Sequence, residues 1–146
     1  MTALKRNNGF SAIELLIVVV VICILATLVF VNFDGVKKKD RDTTRKQDIS
    51  DIHNQLEAYY AQNGSYPTLN NMNDSNWRLT NMKNLKSDEL KDPLGKSQTL
   101  VAAPQNSAYA YSVTPPKCDN SSVDCSGYTL TATLEGGGTY GFQSSE

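Results

Sequence analysis

Glu14 is the side chain whose position most clearly calls for a chemical explanation. It lies four residues after Phe10, at the start of a run from Leu15 to Val31 that contains no charge, glycine or proline. A carboxylate at such a place costs roughly 3 kcal/mol in lipid on insertion scales, and it usually marks a function with a cationic partner. The alternative is that Glu14 only extends to the lipid headgroups.

The three cysteines divide by position. Cys118 and Cys125 flank a short polar loop near the C-terminus, and they can form a disulfide. Cys23 lies inside the apolar run and is left over, and we assign it no chemistry. Because disulfides form in oxidising compartments, we expect the C-terminal part of the chain to fold outside the cytoplasm.

Residues suited to catalysis or metal binding are few. His53 is the only histidine, and its place beside an apolar helical stripe favours a packed structural role over metal binding or general-base catalysis. The sequence shows no Ser, His and Asp set, no phosphate-binding loop and no cluster with metal-ligand spacing. We therefore expect no catalytic residue, no metal ligand and no enzymatic activity.

The charge balance gives no sign of a nucleic-acid partner. Fourteen Lys and Arg residues against fifteen Asp and Glu residues give a formal charge of -1, so no global field attracts nucleic acid or an acidic substrate. The charged run from Lys37 to Lys46 is interleaved with acids, which weakens attraction to phosphate. We interpret this run as a solvated helix face rather than a DNA-binding patch.

The element that must position Glu14 is the apolar run itself. Together with residues 10–13 it is long enough to cross a hydrocarbon layer of ~30 Å. A buried core helix is the alternative, but the rest of the 146-residue chain is too small to surround a helix that is apolar on every face. We predict a transmembrane helix over residues 10–33, because in lipid a helix satisfies its own backbone amides.

Residues 1–9 are short, polar and basic, with Lys5 and Arg6, as in the first part of an export signal. An ordinary signal peptide would be cut after the apolar run, where a small-x-small pattern is needed. Residues 26–28, Ala-Thr-Leu, fit that pattern poorly. The apolar run is therefore predicted to stay in the mature protein.

The segment from residue 9 to residue 19, GFSAIELLIVV, resembles the class III signal of type IV pilins and type II secretion pseudopilins. In that signal a short basic leader ends in Gly, and Phe, Glu and an apolar helix follow. The resemblance implies that a prepilin peptidase removes residues 1–9 by cutting between Gly9 and Phe10, and that the new Phe10 amine is methylated. It also implies that Glu14 pairs with the Phe10 amine of an adjacent subunit, which would relieve two desolvated charges and set the axial register.

The resemblance further implies a helical homopolymer as the functional state. The chain would be a single-pass precursor in the cytoplasmic membrane and then a subunit of a type IV pilus, or fimbrium, at the cell surface. Its partners would be further copies of itself, the prepilin peptidase, the pilus assembly platform and the membrane. A major pseudopilin of a type II secretion or competence system is the alternative, and the short cysteine loop favours a major pilin.

The charges that flank the membrane segment and the signal motif favour opposite orientations of that segment. Six cations follow the segment between Lys37 and Lys46, whereas two precede it. The positive-inside rule alone would therefore favour the opposite topology. We give precedence to the signal motif and to the cysteine pair, which place the C-terminal part outside.

The pattern of residues 34–63 predicts an amphipathic helix that continues the membrane segment. Gly35 is the position where the helix could bend. Ile49, Ile52, Leu56 and Tyr59 repeat at three- and four-residue spacing, so they form one apolar stripe. Gly64 and Pro67 follow and are typical of a helix end.

Residues 64–146 predict a globular head with an antiparallel sheet. The candidate strands run from Ala108 to Thr114, Tyr128 to Leu134 and Thr139 to Gln143, and a Gly-Gly-Gly turn joins the last two. Residues 77–91 predict a short helix or a loop over the sheet. The fold class is therefore α+β, a long N-terminal helix packed on a small sheet, which is the pilin fold.

Asp92-Pro93-Leu94-Gly95 predicts a turn. A similar Asp-Pro-x-Gly lies near a calcium site in major pseudopilins. Few of the acidic ligands that calcium needs lie near this turn in the sequence. We therefore expect no cofactor, with calcium as the alternative.

Two hypotheses from other classes remain open. A membrane-anchored binding module that acts as a monomer would tolerate replacement of Glu14. A free secreted domain, released by an ordinary signal peptidase, would have a mature N-terminus beyond Thr27.

Overall fold

The computed structural model describes residues 10–144, except for the side chains of residues 28–32. The predicted leader, residues 1–9, lies outside the described residues. The chain divides into two compact units, one ending at Lys37 and the other beginning at Lys38. Its elements are α1 (Ala12–Asn63), α2 (Leu69–Asn73), α3 (Ser75–Asn81), a 3-10 helix (Ser87–Leu90), β1 (Ala110–Thr114), β2 (Gly127–Thr133) and β3 (Thr139–Gln143).

The N-terminal unit is helical, and the described side chains from Phe10 to Thr27 are all exposed. Leu15, Leu16, Ile17 and Val18 are consecutive and between 46% and 63% exposed, so apolar groups surround the helix on every side. Across the described residues, no helix carries a stretch that is both long enough and apolar enough to cross a membrane. The predicted membrane span includes residues 28–32, whose side chains are not described, so it stays a prediction.

The second unit holds a three-stranded antiparallel sheet in the order β1-β2-β3. The predicted strands are confirmed, with ends that differ by at most two residues. The Gly-rich hairpin between β2 and β3 is confirmed as well. Gly137 and Gly138 have φ angles of 100° and 78° there, a backbone region that side chains disfavour.

The apolar stripe of α1 forms one side of the hydrophobic core. Ile49, Ile52 and Leu56 are fully buried and pack in one cluster with Tyr111 and Leu130, which face each other across β1 and β2. The predicted α+β arrangement, with the second half of α1 packed on the sheet, is therefore confirmed. Each such side chain contributes about 1.5–3 kcal/mol on burial.

The helix ends where the sequence predicts. Asn63 is its last residue, and Gly64 follows with a φ of 72° while its N–H donates to the Tyr60 carbonyl. This is the left-handed cap that favours glycine. Pro67 then lies in the buried connection to α2.

The segment between α1 and the sheet contains three short helices, α2, α3 and the 3-10 helix, where the sequence predicted at most one. α3 begins two residues before the predicted segment, with the Asp74 side chain accepting from the backbone N–H groups of Asn76 and Trp77. The short helix α2 was not predicted, because its sequence is mostly Asn and is held by the Thr68 cap and by the burial of Met72.

The predicted disulfide is present between Cys118 and Cys125, seven residues apart in the sequence. Closing so short a loop stabilises a fold by about 2–3 kcal/mol in the chain-entropy model. The Asn120 side chain fixes the loop further, since it donates to the Tyr66 carbonyl and accepts from the Cys125 N–H, both at 2.7 Å. The loop is thereby joined to the chain that follows α1.

Candidate functional site

Glu14 lies in the first turn of α1, and Phe10 lies two residues before the helix begins. Phe10 is 81% exposed, and a Glu14 carboxylate oxygen accepts from the Ser11 backbone N–H at 3.1 Å. This contact satisfies one of the free N–H groups of the helix start, where negative charge is also favoured. Within one chain Glu14 therefore caps its own helix. Gly9 lies outside the described residues, so the cut, the methylation of Phe10 and the pairing of Glu14 with a neighbour stay predictions.

The exposed apolar surface on both sides of Glu14 is the largest unexplained feature of the N-terminal unit. Contiguous exposed apolar patches beyond a few hundred Å² are rare on soluble monomers and mark a membrane or protein contact. The exposed large apolar side chains are Phe10, Ile13, Leu15, Leu16, Ile17, Val18, Val19, Val20, Val21, Ile22, Ile24, Leu25, Phe33 and Val36. A surface of this kind needs lipid or other protein around it.

A charged network centred on Arg45 organises the second unit. The Arg45 side chain is only 2% exposed, and its guanidinium donates twice to Asp92, at 2.6 and 3.0 Å. It also donates to Asp42 at 2.7 Å and to Glu135 at 2.8 Å. Arg41 adds two bonds to Glu135, at 2.7 and 2.6 Å. The network therefore ties α1 to the Asp92 turn and to the β2–β3 hairpin.

The network corrects the interpretation of the charged run as a solvated face at Arg41, Asp42 and Arg45 only, because the other charged residues of the run are exposed as expected. Arg45 is buried and Arg41 is half-buried, and Asp42 pairs with Arg45. The spacing of charges along a helix does not reveal which of them meet a distant carboxylate. The signal available in the sequence was the position of Arg45, four residues before Ile49 and so on the apolar stripe.

Hydrogen bonds and charge pairing shift the pKa values of Glu135, Asp42 and Arg45 in this network. Hydrogen bonds from Arg41 and Arg45 lower the pKa of Glu135 to about 2. Burial acts to raise the pKa of Asp42, but the backbone N–H groups of Glu135 and Gly136 and the Arg45 guanidinium outweigh it and lower that pKa. Hydrogen bonding to Asp92 raises the pKa of Arg45 despite burial. All these groups are therefore charged at neutral pH.

The predicted turn at Asp92 is confirmed and positions that acid. The Gly95 N–H donates to the Asp92 carbonyl at 2.7 Å, and the Leu94 N–H donates to the Asp92 carboxylate at 2.8 Å. A Cβ at Gly95 would lie 2.7 Å from the Ser107 carbonyl oxygen. The close approach of that backbone requires glycine.

His53 and its neighbours form an aromatic cluster. Its ring stacks on Phe142 with centroids 4.1 Å apart, and its Nδ1 contacts the Tyr128 hydroxyl. Glu57 accepts from the Tyr66 and Tyr128 hydroxyls, at 3.2 and 3.0 Å. Burial and the Glu57 charge raise the pKa of Tyr66 to about 12. His53, which belongs to α1, is thus packed against β2 and β3, in the structural role that the sequence favours.

The pKa of Asp48 is raised, whereas those of Asp42 and Glu135 are lowered. Burial raises the pKa of Asp48 to about 6, and the nearby acids Glu89, Asp51 and Asp92 add to the shift, although the Tyr109 hydroxyl donates to it at 2.6 Å. No sequence pattern marked this residue. Its charged form is therefore disfavoured in the folded state.

Comparisons with known proteins place the chain among filament and secretion components. It is 30% identical over 118 residues to type II secretion system core protein G of Escherichia coli, covering 75% of this chain and 81% of that protein. It is 38% identical over 64 residues to the Aeromonas hydrophila protein of the same name, covering 44% of this chain and 45% of that protein. It is 35% identical over 63 residues to the major component of the type IV wide pilus of Thermus thermophilus, covering 43% and 48%.

The chain thus spans less than half the length of the Aeromonas and Thermus proteins. No protein-family model matches the chain. No solved structure matches it either.

Asp48→Asn should stabilise the protein above pH 6. A group whose folded pKa lies above its unfolded value contributes stability below the unfolded pKa, and that contribution is lost as pH rises through the folded pKa. Between about pH 4 and pH 6 the wild type therefore loses stability that the variant keeps. Thermal unfolding of both proteins can be followed by the fluorescence of Trp77, the only tryptophan. The Tm of the variant minus that of the wild type should grow by a few degrees from pH 4 to pH 6.

Asp119→Asn is the matched control for Asp48→Asn. Backbone N–H groups of Ser122, Ser121 and Val123 lower the pKa of Asp119 to about 2. Because the folded state favours the charged form of Asp119, removing that charge should lower the stability at neutral pH. A Tm difference for Asp48→Asn that stays constant from pH 4 to pH 8 would contradict the assignment.

Proposed function

We propose that this chain, which belongs to the family of type IV pilins and type II secretion pseudopilins, is a structural subunit of a type IV pilus-like filament. The observation that carries the proposal is the exposed apolar surface of residues 10–27 with a carboxylate at its start. This surface would lie in lipid before assembly and against the same segment of other subunits afterwards. Its relatives are named as a core protein of type II secretion systems and as the major component of a type IV pilus, which supports a structural rather than an enzymatic role.

Assembly cannot draw much energy from apolar burial alone. Lipid tails are as apolar as Leu or Val, so moving the helix from lipid to a helix bundle changes little in hydrophobic terms. Packing and polar contacts must then favour the filament. Glu14 is the one charged side chain between Phe10 and Phe33, and its pairing with a Phe10 amine of the next subunit would supply a contact that lipid cannot.

The capping role of Glu14 is compatible with this pairing. Only one of its two carboxylate oxygens accepts from the Ser11 N–H, and a carboxylate can accept several hydrogen bonds. The second oxygen is available to a cation. Removal of residues 1–9 between Gly9 and Phe10 by a prepilin peptidase would create that cation at the tip of the helix.

The proposed life cycle follows from these steps. The precursor is anchored in the cytoplasmic membrane with its C-terminal head outside, where the Cys118–Cys125 disulfide can form. An assembly platform then adds processed subunits to a growing filament. The N-terminal segment would then lie within the filament.

A subunit of a type II secretion pseudopilus is the second candidate. The alignment with the Escherichia coli core protein G favours it, since that match extends over 75% of this chain. The shared N-terminal segment serves both candidates equally. The two differ in what the filament does outside the membrane.

The mature protein should begin at Phe10 and carry a methyl group on its amine. Mass spectrometry of membrane and sheared surface fractions tests this. Gly9→Leu should leave uncut precursor in the membrane and no sheared material, whereas Asn8→Ala should be processed normally. An intact Met1 in sheared material, or a start beyond Thr27, would contradict the proposal.

Glu14→Gln should abolish assembly while leaving membrane insertion unchanged. The amide retains an oxygen that can accept from the Ser11 N–H but loses the charge, so this variant separates pairing from capping. Because loss of one partner from a buried ion pair costs about 3–5 kcal/mol, the yield of sheared filaments should fall at least tenfold.

Glu14→Ala should behave like Glu14→Gln, and Asp34→Asn, an exposed acid outside the apolar run, is the matched control. Wild-type filament yield from Glu14→Gln would favour the monomeric binding module instead.

Deletion of the gene should distinguish the two candidate systems. Loss of surface filaments in electron micrographs, with an unchanged set of extracellular proteins, is expected for a pilus subunit. Loss of extracellular proteins from the medium without a change in surface filaments would assign the chain to a secretion pseudopilus.

A further inference from the structure

The turn at Asp92 lets the resemblance to a calcium-binding turn be tested against the residues present. Both carboxylate oxygens of Asp92 accept from Arg45, and one of them also accepts from the Leu94 N–H. The Asp92 and Arg45 side chains are each 2% exposed. Among residues 10–144, no group of three or more acidic, His or Cys side chains is arranged to hold a metal ion. The turn therefore does not fit calcium.

We infer that the Arg45 guanidinium is the cation that joins this turn to the rest of the head, and that the turn holds no calcium ion. The three acids that meet Arg45 come from separate parts of the chain: Asp42 from α1, Asp92 from the turn and Glu135 from the β2–β3 hairpin. A planar guanidinium with five donors can bind several carboxylates at once. It thereby links three segments through one side chain.

The charges of the network come close to balance without a further cation. Arg41 and Arg45 supply two positive charges against three negative charges from the acids, which leaves a net charge of -1. Backbone N–H groups offset the surplus. Those of Glu135 and Gly136 donate to Asp42 at 2.9 Å each, and that of Leu94 donates to Asp92.

Calcium binding at this turn would carry a large cost. Calcium takes six to eight oxygen ligands, so Asp92 would have to turn its oxygens away from Arg45. An arginine cannot lose its proton in a protein, so a buried guanidinium would then lack its main partner beside a divalent cation. Coulomb repulsion and desolvation both oppose that exchange.

The test is thermal unfolding of the full chain in detergent, followed by Trp77 fluorescence, with either millimolar CaCl2 or millimolar EDTA. The Tm should be the same under the two conditions. A site filled at a hundredfold excess of calcium over its dissociation constant would instead raise the Tm by roughly 10 °C or more. A calcium-dependent rise of that kind would overturn the inference.

Substitutions in the network give an independent arm. Arg45→Met should lower the Tm strongly, because it leaves Asp92 buried and unpaired, and by the same amount in calcium and in EDTA. Arg41→Met is the matched control: its side chain is 26% exposed and Glu135 keeps its bond to Arg45, so the loss should be much smaller. Equal losses for the two variants would overturn the role of Arg45.

A double-mutant cycle remains informative if Arg45→Met unfolds at room temperature. Arg45→Lys retains the charge but not the two-pronged contact with Asp92, and Asp92→Asn removes the acid. The Tm loss of the double variant should be clearly smaller than the sum of the two single losses, because each residue depends on the other. Additive losses would contradict the proposed link.

Discussion

The head of this protein depends on one face of α1, where an apolar stripe ends in a buried charge. Ile49, Ile52 and Leu56 are fully buried against the sheet, and Arg45 lies one turn earlier on the same face. Apolar burial supplies most of the attraction, but it has no direction. The guanidinium supplies direction, because its bonds to Asp92 and Glu135 fix where the turn and the hairpin meet the helix.

The N-terminal half of α1 meets a different constraint. Its exposed apolar side chains surround the helix, so it has no polar face to turn toward water. A segment of this kind is suited to lipid and to contact with copies of itself, and Glu14 is the place where polarity enters. The same helix thus combines an exposed apolar segment with a segment that is part of the core of the folded head.

The end of α1 is held by covalent and polar contacts rather than by a large core. The chain after Gly64 is joined to the Cys118–Cys125 loop through the Tyr66 N–H, which donates to the Cys125 carbonyl at 2.8 Å, and through the Asn120 side chain. A small domain buries limited apolar surface, so such links matter more to it than to a large one. The disulfide also requires an oxidising compartment, which agrees with a head outside the cytoplasm.

Sequence patterns by themselves determined the helical range of α1, its end at Gly64, the three strands, the hairpin, the Asp92 turn and the pairing of Cys118 with Cys125. Each of these depends on residue types at short spacing, where periodicity and turn chemistry act. Tertiary structure decided the rest: the network that joins Arg45 to acids 47 and 90 residues away, the helix α2, and the raised pKa of Asp48. Those features depend on which distant groups packing brings together and on how much water it removes, and the spacing of charges along a helix contains neither.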